Sequence, residues 1–164
     1  MSMTPDLFRA ALGRFASGVT VVTTRDARGN PNGLTVTAFS SVSLAPPLVF
    51  IGIDTGNDSG PAIRHTGRFN VHLLAAHQED WSRRFSEHPN GADPFTGLAF
   101  DSDAHGLPRL PGVLAFLACR VVHDIPAGDH GLFLGEVDAI DVAEGEPLLY
   151  FRGAYRALAA GGAR

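Results

Sequence analysis

The apolar positions along this chain change period several times, and each change marks a predicted element. Near the N-terminus Leu7, Phe8, Ala11, Leu12 and Phe15 recur at helical spacing. Thr4 is placed to cap that helix, with Pro5 at its first position and Asp6 in its first turn, and Gly18 ends it. Residues 19–24, VTVVTT, are β-branched throughout and predict a strand. The turn formers of RDARGNPNG separate it from a second strand, LTVTAF at 34–39, so the two predict a hairpin. SSVSLA, 40–45, predicts a third, bent strand. PPLVFIGID, 46–54, opens on prolines suited to a strand start or an edge. Its unbroken apolar run predicts a strand buried on both faces.

Beyond it, TGNDSGPAIRHTG predicts a loop leading into a short helix, with Pro61 near the first turn. RFNVHLL, 68–74, predicts a strand. HQEDWSRRFS, 77–86, predicts a short helix that pairs Trp81 with Phe85 four positions on. Residues 88–111 are rich in Gly, Pro, Asp and His and predict a long loop of the functional or mobile kind. Residues 112–142 predict two long strands joined at PAGD. Residues 147–158 add strand material around a turn at Gly153, and the tail 159–164 is expected to fray.

Strands in succession with few helices between them predict a mainly β fold with peripheral helices. The sheet is expected to be antiparallel and barrel-like, not doubly wound and parallel. A length of 164 residues suits a single domain over 1–164 with a sizeable core. No apolar run approaches the length of a membrane span, and the N-terminus lacks the regions of a signal peptide. The chain is therefore expected to be cytoplasmic, with no membrane partner.

Composition removes several chemistries. A net charge of -4 offers nothing to a polyanion, so no nucleic acid partner is expected. All 13 basic residues are Arg, which excludes a Schiff-base lysine and a P-loop lysine. Cys119 is the only cysteine; it excludes an intramolecular disulfide and, within LAFLACRVV, reads as a small buried hydrophobe. Seven histidines raise the question of a metal. DSDAH offers Asp101, Asp103 and His105, but without zinc spacing or the Gly and Glu of a calcium loop, so no metal is expected. His72 lies inside a strand and reads as a packed or hydrogen-bonded sheet residue.

Three stretches carry candidate chemistry. In LTVTAFSSVS the hydroxyls of Thr35, Thr37, Ser40, Ser41 and Ser43 cluster, and in a continuous strand Thr35 and Thr37 share a face opposite Val36 and Ala38. This is either a half-exposed edge strand or a polar wall for the edge of a heteroaromatic ring. In DTGNDSGPAI, Thr55, Asn57 and Ser59 supply donors just before a helix start, a natural phosphate site. Asp54 and Asp58 oppose an anion there, and either serves equally as a helix N-cap. In GDHGLFLGEV, His130 stands beside Asp129 at the mouth of a strand. It either caps the turn or faces a cleft, with Asp129 as its orienter.

Five segments in order, FRAALGRFASGVTVVTT, PNGLTVTAFSSVSLAPPLVFIGI, RFNVHLLAAHQEDWSRRFS, GDHGLFLGEV and PLLYFRGAYRAL, resemble one family. It is the short-chain flavin reductases, the reductase components of two-component flavin-dependent monooxygenases. The resemblance runs over about residues 8–158. It implies an antiparallel split β-barrel of the FMN-binding type, working as a homodimer. It implies hydride transfer from NADH or NADPH to FMN or FAD, and supply of the reduced flavin to a separate monooxygenase. Carried over by position, Thr35, Val36, Thr37 and Ala38 contact the isoalloxazine edge, and Ser40 and Ser41 continue that wall. Asp54, Asn57 and Ser59 match the stretch near the ribityl chain and phosphate. His130, with Asp129 behind it, matches the nicotinamide site, and Phe151, Arg152 and Tyr155 match the closing segment of the groove. The two carboxylates in the phosphate stretch depart from the family pattern, and Arg64, Arg68 or an arginine of a second subunit is expected to offset them. The competing functions are a non-enzymatic flavin carrier or redox sensor on the same barrel, and an oxidase of a pyridoxal-type phosphate.

Overall fold

The computed structural model describes residues 3–86 and 93–159. Thr4 caps the first helix, α1 (Pro5–Leu12), through a bond from the Leu7 amide to its hydroxyl at 3.2 Å. The helix stops at Gly13, well before Gly18, so Phe15 lies outside it. No side chain of α1 is buried, and Leu7, Phe8, Leu12 and Phe15 are all exposed. The helical spacing foretold the helix, but among the described residues nothing buries its apolar stripe.

The strands follow as β1 (Ser17–Gly18), β2 (Thr20–Arg25), β3 (Pro31–Val36), β4 (Phe39–Leu44) and β5 (Pro47–Asp54). Helix α2 (Ser59–Thr66) leads to β6 (Arg68–Leu73). A 3-10 turn then runs into α3 (Glu79–Ser86). A small hairpin, β7 (Asp101–Ser102) and β8 (Pro108–Arg109), precedes the long strands β9 (Ala115–Ala127) and β10 (His130–Val142). The chain closes with β11 (Leu149–Phe151) and β12 (Ala154–Arg156).

Seven strands form one antiparallel sheet in the order β3-β2-β6-β9-β10-β5-β4, and β1, β11 and β12 form a small second sheet. The two edge strands of the large sheet, β3 and β4, are neighbours in sequence. Only Thr37 and Ala38 separate them, and Ala38 accepts a bond from the Gly52 amide at 2.9 Å. The sheet therefore curls until its edges nearly meet, which is the split-barrel form. The expected continuous strand 34–39 is corrected here. It breaks at Thr37, whose carbonyl takes the Phe39 amide at 3.0 Å, because the chain crosses from one edge to the other.

Alternate residues of each strand fill the barrel. Ile51, Phe69, Val71 and Phe133 are fully buried, and each contributes roughly 1.5–3 kcal/mol of burial free energy. Gly135 is required at the centre: a Cβ there would lie 2.5 Å from the Phe69 ring. Strand β5 is not core on both sides as its apolar run predicted. Val49, Ile51 and Ile53 point inward, whereas Phe50 is half-buried on the outer face.

A second core lies between β2, α3 and the segment predicted as a long loop. Phe95 packs edge-on against Phe85 at 5.1 Å, and Leu107 and Leu110 are buried. The described part of that segment, 93–111, is thus a packed cover and not an open loop. Its aromatic and leucine positions are spaced too irregularly to show a period. His88 and most of the tail expected to fray lie outside the described residues.

Candidate functional site

The break between β3 and β4 faces a cleft of about 630 Å³. Thr37, Ala38 and Ser40 form one wall, and Tyr150, Phe151, Arg152 and Gly153 form the other. Phe39 and Phe50 contribute ring surface, and Leu12 and Phe15 reach in from the end of α1. Ser40 lies opposite Phe50 in the β4–β5 ladder, so hydroxyl and ring share the outer face. The volume and the mix of flat apolar surface with a few polar groups suit a planar heteroaromatic ligand.

Arg152 holds an uncommon backbone, with φ 52° in the left-handed region. Its amide donates to the Gly13 carbonyl at 3.0 Å, which pins the β11–β12 turn to the end of α1. Its guanidinium lies over the Phe151 ring at 5.2 Å, and among the described residues it has no carboxylate partner. A cation so placed is available to an anionic ligand group.

His130 is the first residue of β10, and Gly128 (φ 64°) and Asp129 make the turn before it. It pairs with Asp54 at the end of β5. Its Nδ1 meets Asp129 Oδ1 at 2.7 Å, and that bond holds the Asp129 carboxyl below its usual range. The ring is 44% exposed, so its second nitrogen remains open to a ligand. A Cβ built on Gly52 would meet the Ala38 methyl at 3.1 Å and the His130 ring at 4.0 Å. Gly52 therefore brings the cleft wall and the histidine together on one small patch, which no sequence spacing displayed.

The loop ahead of α2 is more self-contained than its donor-rich sequence suggested. Asp54 Oδ1 accepts the Gly56 amide at 2.7 Å, and Asn57 Oδ1 accepts the Ser59 amide at 2.8 Å. The Ser59 hydroxyl is buried and bonded to Asn32 at 2.5 Å. Asp58 occupies the N-cap position without a side-chain bond. The arginines expected to offset these carboxylates are engaged elsewhere, Arg64 with Asp124 at 2.6 Å and Arg68 with Asp138.

Other expected positions also lie away from the cleft. The Thr35 hydroxyl donates to the Ser82 carbonyl at 2.6 Å, and Val36 is core. The strand break puts Thr35 and Thr37 on different surfaces. Ser41 is exposed on β4 and does not line the cleft. Tyr155 turns to α3, its hydroxyl 2.8 Å from Ser82 Oγ. Tyr150, Phe39 and Phe50 were missed from sequence. The alternation in β5 was the one signal for Phe50, and the apolar run concealed it.

The histidine inside the sheet behaves differently. His72 is fully buried, with Nδ1 3.0 Å from the Val21 carbonyl and Nε2 accepting the Leu110 amide at 3.1 Å. Both bonds suit only the neutral ring, and burial lowers its pKa to about 4. Burial likewise pushes the Cys119 thiol up to about 12, so it is no nucleophile. Asp103 Oδ1 caps the His105 and Leu107 amides, both at 2.8 Å, as turn chemistry. A second cleft, about 690 Å³, lies by Arg109, Phe116 and Asp141. Its arginine is already paired with Asp141 at 2.6 Å, and it holds none of the expected residues.

Comparison with known proteins agrees with this geometry. The model of the flavin reductase like domain matches residues 12–159. An NADH-dependent flavin reductase of Rhodococcus is 41% identical over 95% of this chain and 88% of its own. The reductase component of a Thermus thermophilus 4-hydroxyphenylacetate 3-monooxygenase is 39% identical over 93% of this chain and 96% of its own. The structure of a Streptomyces globisporus NADH:FAD oxidoreductase, in complex with NAD and FAD fragments, superposes with a TM-score of 0.88 at 32% identity. That match covers 98% of each chain. The chain belongs to the flavin reductase like domain family.

Proposed function

We propose that this chain is an NAD(P)H-dependent flavin reductase that reduces FMN or FAD and supplies the reduced flavin to a separate monooxygenase. One observation carries the reading: the missing side chain of Gly52 leaves a bare patch bordered by Ala38 of the aromatic-lined cleft and by the His130 ring. Two flat rings laid on that patch are within reach of each other, which is what hydride transfer requires of a protein. Bound flavin supplies the hydride-accepting chemistry.

The chain's own residues bind and orient. Thr37, Ala38 and Ser40 offer backbone and hydroxyl groups to the polar edge of the isoalloxazine, and Phe39, Phe50 and Phe151 cover its apolar surface. Arg152, next to Phe151, receives an anionic group of flavin or dinucleotide. Asn57, with the exposed Asp54 beside it, borders the ribityl side. His130, oriented by Asp129, hydrogen-bonds the nicotinamide amide or the diphosphate and fixes its pose.

The exposed stripe of Leu7, Phe8, Leu12 and Phe15 supports a homodimer, with a second copy covering it beside the cleft. Transfer of flavin to the oxygenase is proposed to be transient. The whole chain, 1–164, is taken as one domain. No helix among the described residues is long and apolar enough to cross a membrane. A nicotinamide co-substrate held inside the cell supports a cytoplasmic site of action.

Purified protein mixed with FMN or FAD and then NADH or NADPH is expected to consume the reduced nicotinamide catalytically. A rate no greater than that of free flavin would leave a carrier or sensor instead.

A further inference from the structure

Asp129 by itself is a weak brace for His130. Its side chain is 87% exposed, and exposed ion pairs hold little geometry. The turn before His130 carries Gly128 at φ 64°, a residue with few steric limits of its own. Yet the ring must be held closely to orient a nicotinamide.

The restraint comes from another loop. The Asp129 carbonyl accepts two bonds from Thr55, from the amide at 2.9 Å and from the hydroxyl at 3.1 Å. That carbonyl belongs to the peptide joining Asp129 to His130. Because the peptide is planar, holding its oxygen restrains the nitrogen and Cα of His130, the base from which its side chain leaves the backbone. Thr55 follows Asp54, the ladder partner of His130, and Asp54 Oδ1 secures the next turn through Gly56. The side chain that restrains the histidine therefore stands on the loop ahead of α2, at the end of the neighbouring strand β5.

We propose that Thr55 is a positioning residue for His130, acting through the Asp129–His130 peptide and not through contact with flavin or dinucleotide. The proposal rests on the reading of His130 as the nicotinamide-orienting group.

The test compares Thr55→Val, Thr55→Ser, His130→Ala and the Thr55→Val/His130→Ala double variant in steady-state kinetics, with flavin affinity read by fluorescence quenching. Val keeps the shape and the backbone donor and removes only the hydroxyl bond. Thr55→Val is expected to raise the KM for NADH about fivefold, the worth of one hydrogen bond, with kcat within about twofold and flavin affinity unchanged. Thr55→Ser is expected to restore the KM. In the His130→Ala background Thr55→Val is expected to add nothing, because its effect passes through the missing ring. If His130→Ala raises the KM while Thr55→Val is silent, or adds its full effect in the double variant, Thr55 is not the positioner and the His130 reading stands. If His130→Ala leaves the KM unchanged, the reading of His130 falls and the proposal for Thr55 falls with it. Thr55→Ala serves as second variant should Val perturb the loop, with a melting curve on each protein to confirm an intact fold.

Discussion

His72 and His130 stand on strands of the same sheet and have opposite surroundings. His72 lies inside β6, both ring nitrogens spent on backbone groups and no surface in reach of water. His130 begins β10, with one nitrogen on Asp129 and the rest of the ring open. One imidazole serves as a structural bolt, and the other is the proposed binding group. Residue type does not separate them. What separates them is whether each ring nitrogen already has a partner when the chain has folded.

The sharpest way to break this contrast is to remove the bolt. His72→Ala removes the ring's bonds to the Val21 carbonyl and the Leu110 amide and leaves a cavity, and is expected to cost about 3–5 kcal/mol in urea unfolding. A loss below 1 kcal/mol would mean that the 93–111 cover is held by its apolar contacts alone.

Acid probes the same residue without mutation. Burial lowers the His72 pKa from 6.5 to about 4, so below 6.5 the unfolded chain takes up a proton that the folded chain refuses. Stability from this group is complete above that value and falls as pH drops toward 4, by roughly 3 kcal/mol in all. Urea midpoints measured across this range are expected to fall in the wild type. A variant without His72 is expected to show a flatter acid limb.

For the open histidine, stability should hardly move. His130→Ala is expected to raise the KM for NADH about tenfold, with flavin affinity little changed. Unchanged NADH kinetics would reduce His130 to a turn residue. The smallest effect is expected from Asp129→Asn, a rise in the KM of no more than about fivefold, the range of an exposed pair. A larger effect would show that the carboxylate touches the ligand itself.

Much of this contrast was legible in the chain. The period-two and β-branched runs placed most strands, the helical stripe placed α1, and the ordered segments placed the chain in its family. Less legible were the break at Thr37, the outward turn of Phe50 and the packing of Phe95 and Leu110. Each depends on what lies across the sheet from it. Thr35 and Thr37 are two residues apart and look equivalent, until closure of the barrel sends one to α3 and the other to the cleft.

Local sequence sufficed for most of the elements, for the absence of lysine chemistry and for the family. The elements follow from short-range backbone preference, the absence of lysine from composition, and the family from the resemblance of five ordered segments. The tertiary structure decided which side chains form a site. Gly52 joining Ala38 to His130, Thr55 reaching the Asp129 carbonyl and Ser59 turning inward to Asn32 are contacts between distant segments. They exist only once the strands have paired, because tertiary pairing, and not sequence separation, sets which segments meet.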